Sequence, residues 1–215
     1  MRQGYGVEIF RAATGDLSEL VALRREAAAW LKAEGTDQWG QDWPDEATMI
    51  RGFAATIDDG TAWLVTDDDG VLATLTLDQS TAPNLWTRAE EAEPAYFVHR
   101  LTVARRAAGQ GFGAELLDWC GNHAHGAGAR WIRVDAWTTN LALHRYYLAQ
   151  GFQHVRTASR PDYPSAALFQ RRALAAATPR LTEGSRKLVD LVWDGAHAVD
   201  RGSSSRGGRP RPRRR

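Results

Sequence analysis

A chain of 215 residues, 43% of them hydrophobic, can bury one sizeable core, and its single cysteine excludes an internal disulfide. No apolar run approaches the ~18 residues needed to cross a bilayer, and the start, MRQGYGVEIF, lacks the apolar centre of a signal peptide, so a cytoplasmic protein with no membrane partner is expected. Residues 201–215 hold seven arginines and no acid; taking those seven charges from a net +1 leaves residues 1–200 at −6, which argues against nucleic acid as a partner of the core and favours the approach of cationic amines.

In chain order, Val7 to Ala13 reads as a first strand. Asp16 caps a helix that runs to about Lys32, with Leu17, Leu20, Val21, Ala27, Ala28 and Leu31 as its apolar stripe, and Gly35 stops it. Next comes GTDQWGQDWPDE, in which Trp39 and Trp43 stand among Asp37, Asp42, Asp45 and Glu46. Pro44 and Asp45 open a second helix toward Ile57. Indoles in such a segment either anchor a loop on the core or offer an ammonium group a flat cation–π surface. Trp63–Thr66 and Val71–Leu77 form a hairpin across the turn Asp67-Asp68-Asp69-Gly70, which lacks the glutamate that a calcium loop needs at its twelfth position. Asp78 to Pro94 mixes proline, asparagine and acids and reads as a loop, in which Trp86 either packs on the core or adds to the indoles of the earlier segment.

Tyr96 to Val103 is rich in β-branched and aromatic residues and has the length of a strand. Gly109, Gly111 and Gly113 follow at alternate positions, directly before Ala114, Leu116, Leu117, Cys120 and Ala124, whose spacing gives a helix one apolar face. Cys120 on that face reads as a small packed thiol. Strand, glycine turn, helix is an arrangement that suits an anion: glycines leave the backbone N–H groups uncovered, and the first turn of a helix has N–H groups without internal partners. A Walker loop is excluded for want of Gly-Lys-Ser/Thr, and the dinucleotide pattern wants its third glycine further along. His123 and His125 have no third ligand at recognisable spacing, so no metal is expected.

Trp131 to Trp137 forms the next strand, and Asn140 to Ala149 a helix closed by Gly151. Phe152–Thr157 and Ala166–Arg171 make a last hairpin. A short helix is expected around Leu188, Leu191 and Val192, and the run GSSSRGGRPRPRRR has no apolar residue to hold it to a core. It reads as a solvated tail, with contact to nucleic acid or anionic lipid, or folding back on the acidic core, as its alternatives.

Two stretches together carry a resemblance. The glycine turn and the segment TTNLALHRYYLAQGF, with Asn140, Tyr147 and Gly151-Phe152, resemble the GNAT superfamily of acyl-CoA N-acyltransferases. That family's loop runs Gln/Arg-x-x-Gly-x-Gly/Ala. Arg106, Gly109 and Gly111 satisfy its letters; Gly111 and Gly113 fit its helix better, because Phe112 and Leu116-Leu117 then take the apolar places, with Ala108 in place of the family's Gln or Arg. Leu143 stands where its Asn-x-x-Ala-x-x-x-Tyr-x-x-x-Gly-Phe segment has alanine. The resemblance spans roughly Val7 to Arg172 and implies an α/β domain over residues 1–175, with a mixed central sheet whose parallel strands splay apart between flanking helices. Residues 176–215 are then a C-terminal extension, disordered from about 201.

The resemblance also implies a chemistry: acetyl transfer from acetyl-CoA to a primary amine, by direct attack in a ternary complex. The cosubstrate's pyrophosphate would sit on the N–H groups of Gly109, Gln110, Gly111, Phe112, Gly113 and Ala114, its thioester carbonyl on the N–H of Leu101 or Val103, with Asn140 nearby. Tyr147 aligns with the tyrosine that protonates the departing sulfur, and a phenol is protonated at neutral pH. Tyr146, about 100° away on an ideal helix, is expected in the core. His99 stands where many members carry a glutamate and, mostly neutral at pH 7, is the candidate base, directly or through water, or else a hydrogen-bonded core residue, with a water held by backbone carbonyls, Glu26 or Glu93 as substitutes. Trp39, Trp43 and Trp86 are the candidates for the acceptor side. The acceptor is expected to be a small cationic molecule or an exposed protein amino group, and the protein a monomer or homodimer. A non-catalytic acyl-CoA sensor is the alternative.

Overall fold

The computed structural model describes residues 7–40, 45–160, 162–175 and 181–184. In order, its elements are β1 (Val7–Arg11), α1 (Leu17–Ala33), α2 (Glu46–Asp58), β2 (Ala62–Asp67), β3 (Gly70–Asp78), α3 (Arg88–Glu91), β4 (Ala95–Val103), α4 (Phe112–Gly126), β5 (Trp131–Ala136), α5 (Leu141–Ala149), β6 (Gln153–Thr157), β7 (Ala167–Arg172) and β8 (Leu181–Glu183). The strands form one mixed sheet of eight in the order β6-β7-β5-β4-β3-β2-β1-β8. β4 and β5 run parallel, as do β1 and β8, and the other neighbours are antiparallel.

Local chemistry sets most of the boundaries. Asp45 caps α2, accepting from the Thr48 N–H at 2.7 Å. At α1 the cap differs from expectation: the Asp16 carboxylate turns back to the Ala13 N–H at 2.7 Å and closes a 3-10 turn instead. Two elements lie outside the sequence reading. Inside the expected loop, α3 is a single turn held by a capping box between Thr87 and Glu90. Beyond Ala175, β8 adds three residues to the free edge of β1, so the sheet continues past the expected domain end. Contacts divide the chain at Gly184, and Trp43, Pro44, the expected Leu188–Val192 helix and the arginine-rich tail lie outside the described residues.

The feature that positions the site is the separation of β4 from β5. Their pairing covers Ala95 with Trp131, Tyr96 with Ile132 and Phe97 with Arg133, and goes no further. Past that point β5 stays with β7 and β4 stays with β3, so a wedge opens between them. The β3–β4 register shifts beside Arg100, whose φ of 52° is left-handed, and a bulge of this kind bends a strand and re-aims its side chains. On β5, Ile132, Val134 and Ala136 are buried in the main core with Leu116 and Leu117 of α4. Arg133 and Asp135 therefore point to the opposite face. Arg133, fully buried, is neutralised there by Glu93 at 3.0 Å.

Candidate active site

The wedge carries two hollows. The first follows the glycine turn, a groove of about 410 Å³ lined by Leu101, Val103, Arg105, residues 107–109 and 111–114, Tyr146 and Gln150. Gly109 and Gly111 have φ of 77° and 90°, backbone that a side chain at Cβ would strain. Ala114 and Glu115 donate back to the Gly111 carbonyl, which leaves Phe112 and Gly113, the first N–H groups of α4, without a main-chain acceptor among the described residues. At Gly113 the constraint is different: a Cβ there would stand 2.5 Å from the Tyr146 hydroxyl, so that ring would have to shift. Arg106 is turned away from this groove, bound at 2.8 Å through two nitrogens to Asp67 of the β2–β3 turn. Gly109, Gly111 and Gly113 all line the groove, so of the residues in the two possible registers only Arg106 is turned from it, and Leu116 and Leu117 are fully buried in the core.

The second hollow, about 430 Å³, lies on the other side of the β4 bulge. Its wall is charged: Asp78 from β3, His99 and Arg100 from β4, and Asp135 from β5, with Tyr163 and Trp39 beside them and Tyr147 at its inner side. Among the described residues, Leu101 alone lines both hollows.

His99 sits between two carboxylates. Its Nε2 donates to the Ser80 carbonyl at 3.1 Å and lies 3.6 Å from Asp78 Oδ1, and Nδ1 lies 3.4 Å from Asp135 Oδ1. Burial acts to lower its pKa, but Asp135 and Asp78 outweigh burial and push it up to about 10. The expectation of a mostly neutral His99 is thereby corrected: two acids, both missed in the sequence because they come from other strands, hold it as imidazolium at neutral pH. Asp78 moves the other way. Burial would raise it, yet His99 holds its carboxyl below the usual range.

Tyr147 is buried, its ring against Phe152 and Phe169, and burial pushes its phenol above the usual value, so it is protonated at neutral pH. Tyr146 is not enclosed in the core as expected; it is half-buried, packed against the main core on one side and lining the glycine groove on the other, with its ring edge-on to that of Tyr147 at 5.8 Å between centroids. Cys120 is fully buried and its thiol is pushed up, as expected for packing.

Other expected site residues hold the frame. Asn140 caps α5, accepting from the Leu143 N–H at 3.0 Å and donating to Gln38 at 2.6 Å. Asp37 accepts from the Trp137 indole at 3.0 Å and from the Thr139 hydroxyl, so residues 37–38 are clamped to the start of α5. This clamp carries Trp39 to the cavity wall, where its ring packs 4.1 Å from the Arg24 guanidinium. Trp86 is not on that wall: it is 3% exposed, packed against Phe97 and under Arg133. Glu93 pairs with Arg130 and Arg133, and Glu26 accepts from the Arg105 N–H, so neither reserve base reaches the cavity. His123 pairs with Glu183 at 2.9 Å, and among the described residues no cluster of three metal-ligating side chains occurs.

Comparison with known proteins agrees with this architecture. A family model described as acetyltransferase (GNAT) family matches residues 24–152. The chain is 31% identical over 147 residues to the uncharacterized N-acetyltransferase YesJ of Bacillus subtilis, an alignment that covers 64% of this chain and 77% of that one. Among solved structures it is similar in fold to a GNAT-family acetyltransferase from Listeria monocytogenes, with TM-score 0.62, 20% identity and coverage of 77% and 94% of the two chains. It is similar also to the PaiA N-acetyltransferase of Thermoplasma acidophilum, solved with coenzyme A, with TM-score 0.60, 16% identity and coverage of 78% and 99%.

Proposed function

The chain belongs to the GNAT family of acetyltransferases and is an acyltransferase, and from that premise we propose that it moves an acetyl group from acetyl-CoA to a primary amine by direct attack, with both substrates bound at once. The observation that carries this reading is the meeting of two unlike hollows at Leu101. A glycine turn with uncovered N–H groups at a helix start suits a pyrophosphate, and the groove running from it along Val103 to Leu101 suits an extended pantetheine chain. The charged cavity beyond, with Asp78 and Asp135, suits a small cationic amine or an exposed protein amino group.

On this reading the residues divide the work. The N–H groups of Phe112 and Gly113, at the end of the glycine turn, grip the cosubstrate, while those of Gln110 and Ala114, expected in that role, are given to the Ala107 and Gly111 carbonyls; the N–H of Leu101 or Val103 polarises the thioester carbonyl. The amine nitrogen attacks that carbon, and Tyr147 gives its proton to the departing sulfur. His99, already protonated, takes no proton from the amine; with Arg100 it supplies positive potential that favours the neutral, nucleophilic form of a nearby amine.

The test is a thermal-shift series with acetyl-CoA, CoA and ATP on wild type and Gly111→Glu, followed by thiol release with spermidine, tobramycin and lysine methyl ester. Ligand at about 100 times Kd should add ~2.7 kcal/mol of stability. The expected result is a shift with acetyl-CoA and CoA that Gly111→Glu abolishes, and amine-dependent thiol release by wild type. No shift with either CoA species would remove the reading.

A further inference from the structure

Asp135 stands at the mouth of the wedge, two residues past the last β4–β5 pair. Its side chain is 7% exposed, yet it lines the acceptor cavity. One carboxylate oxygen is accounted for: Oδ2 accepts from the Tyr163 hydroxyl at 2.7 Å. The other is only partly answered. Oδ1 is buried and faces the His99 imidazolium, whose Nδ1 at 3.4 Å balances its charge, but no donor among the described residues meets it in hydrogen-bond geometry. A carboxylate oxygen has room for more than one donor, and one buried without a well-aligned donor gains when a ligand brings one. The surroundings point to which ligand that is. The oxygen lies on the cavity wall that shares Leu101 with the glycine groove, so a donor placed on it is also close to where an acyl carbon would be presented.

We propose that Asp135 is the acceptor-binding residue of this enzyme, its Oδ1 receiving a hydrogen bond from an N–H of the attacking amine and holding the nitrogen lone pair toward the acyl carbon. This rests on the acetyl-transfer reading. The charges nearby are consistent with it. Asp78 and Asp135 draw an ammonium ion into the cavity, while His99 and Arg100, fixed on the same wall, disfavour keeping a third cation there, so one proton leaves to solvent. The neutral nitrogen then forms the N–C bond. The C–S bond breaks, with the electron pair leaving on sulfur, which takes the proton of Tyr147. A second proton passes from nitrogen to Asp135 Oδ1 and returns through solvent to the tyrosine. In balance, an ammonium ion and a thioester give an amide, a thiol and one free proton. Tyr163 is a positioning residue, acting on the amine only through Oδ2.

Asp135→Asn tests the proposal, measured on the full chain with the fastest of spermidine, tobramycin and lysine methyl ester. The ratio kcat/KM for the amine is expected to fall 100-fold or more, with the acetyl-CoA thermal shift unchanged. Tyr163→Phe keeps the carboxylate but frees it to turn. It is expected to lose five- to tenfold in the same ratio while the KM for acetyl-CoA stays unchanged, and it carries the test if the Asn variant fails to fold. A melting temperature that falls in both variants while kcat/KM stays at the wild-type value would make Asp135 a structural carboxylate and overturn the proposal. No thiol release by wild type with any of the three amines would overturn the acetyl-transfer reading itself, which is a different outcome from equal rates in wild type and variant.

Discussion

The two hollows that meet at Leu101 are built on opposite principles. The glycine groove is lined mostly by one stretch, residues 101–114, with Tyr146 and Gln150 from α5 and the residue after it, and its free N–H groups are left open by left-handed glycines and a helix start. The charged cavity is made of residues brought from β3, β4, β5, α2, α5 and the loops between elements, and its polar groups are charges that alter one another. The first kind of site tolerates change in most side chains but not in a few backbone positions. The second inverts this, since one substitution changes the charge state of its neighbours. A cosubstrate shared by many enzymes suits the first construction, and an acceptor particular to one enzyme suits the second.

The largest effect should come from breaking the main-chain side. Gly111→Glu puts a Cβ at φ 90° and a carboxylate at the start of α4, and is expected to abolish the acetyl-CoA shift while leaving the apo melting temperature within a few degrees. Normal acetyl-CoA binding by this variant would mean that the groove is only a turn.

At the charged cavity, Tyr147→Phe removes the proposed proton source but keeps the ring packed on Phe152 and Phe169. A loss of general-acid catalysis of about tenfold or more in kcat is expected, with the acetyl-CoA shift retained. Unchanged kcat would take the acid role from this residue.

On the side-chain wall, His99→Gln sharpens the contrast through pH. His99 is raised in the folded protein to about 10 by Asp78 and Asp135, with Arg100 and Tyr163 also facing the cluster. A raised histidine contributes stability that is fully present below the unfolded value near 6.5 and is lost as pH climbs toward 10, an effect of a few kcal/mol at most. Urea midpoints from pH 6 to 10 should therefore fall more steeply for wild type than for His99→Gln. Equal slopes would show that the imidazole is not held charged.

The same contrast explains what was legible in the sequence. The order of strands and helices, the glycine turn, the Asp45 cap and the position of Tyr147 are all local: each depends on spacing or capping within about a dozen residues. Asp78, Asp135 and Tyr163 were missed because nothing local marks them; an aspartate within a strand such as β5 becomes meaningful only when the departure of β4 uncovers it. Missing them also gave His99 the wrong charge. Trp86 sits in a stretch that reads as an acceptor-side loop, but the buried Arg133 needs an aromatic face and takes it. The strand β8, three residues with no alternation long enough to read, is recognisable only by its pairing with β1. Asn140 shows the converse, a residue marked by the family pattern whose visible contacts are a helix cap and the loop that presents Trp39.

The most direct test of the central claim, that both hollows are filled at once across Leu101, is the initial-velocity pattern of thiol release with acetyl-CoA and the best amine varied together. Direct attack in a ternary complex requires double-reciprocal lines that intersect. Parallel lines, the mark of an acetyl group first passed to the protein and only then to the amine, would contradict the account.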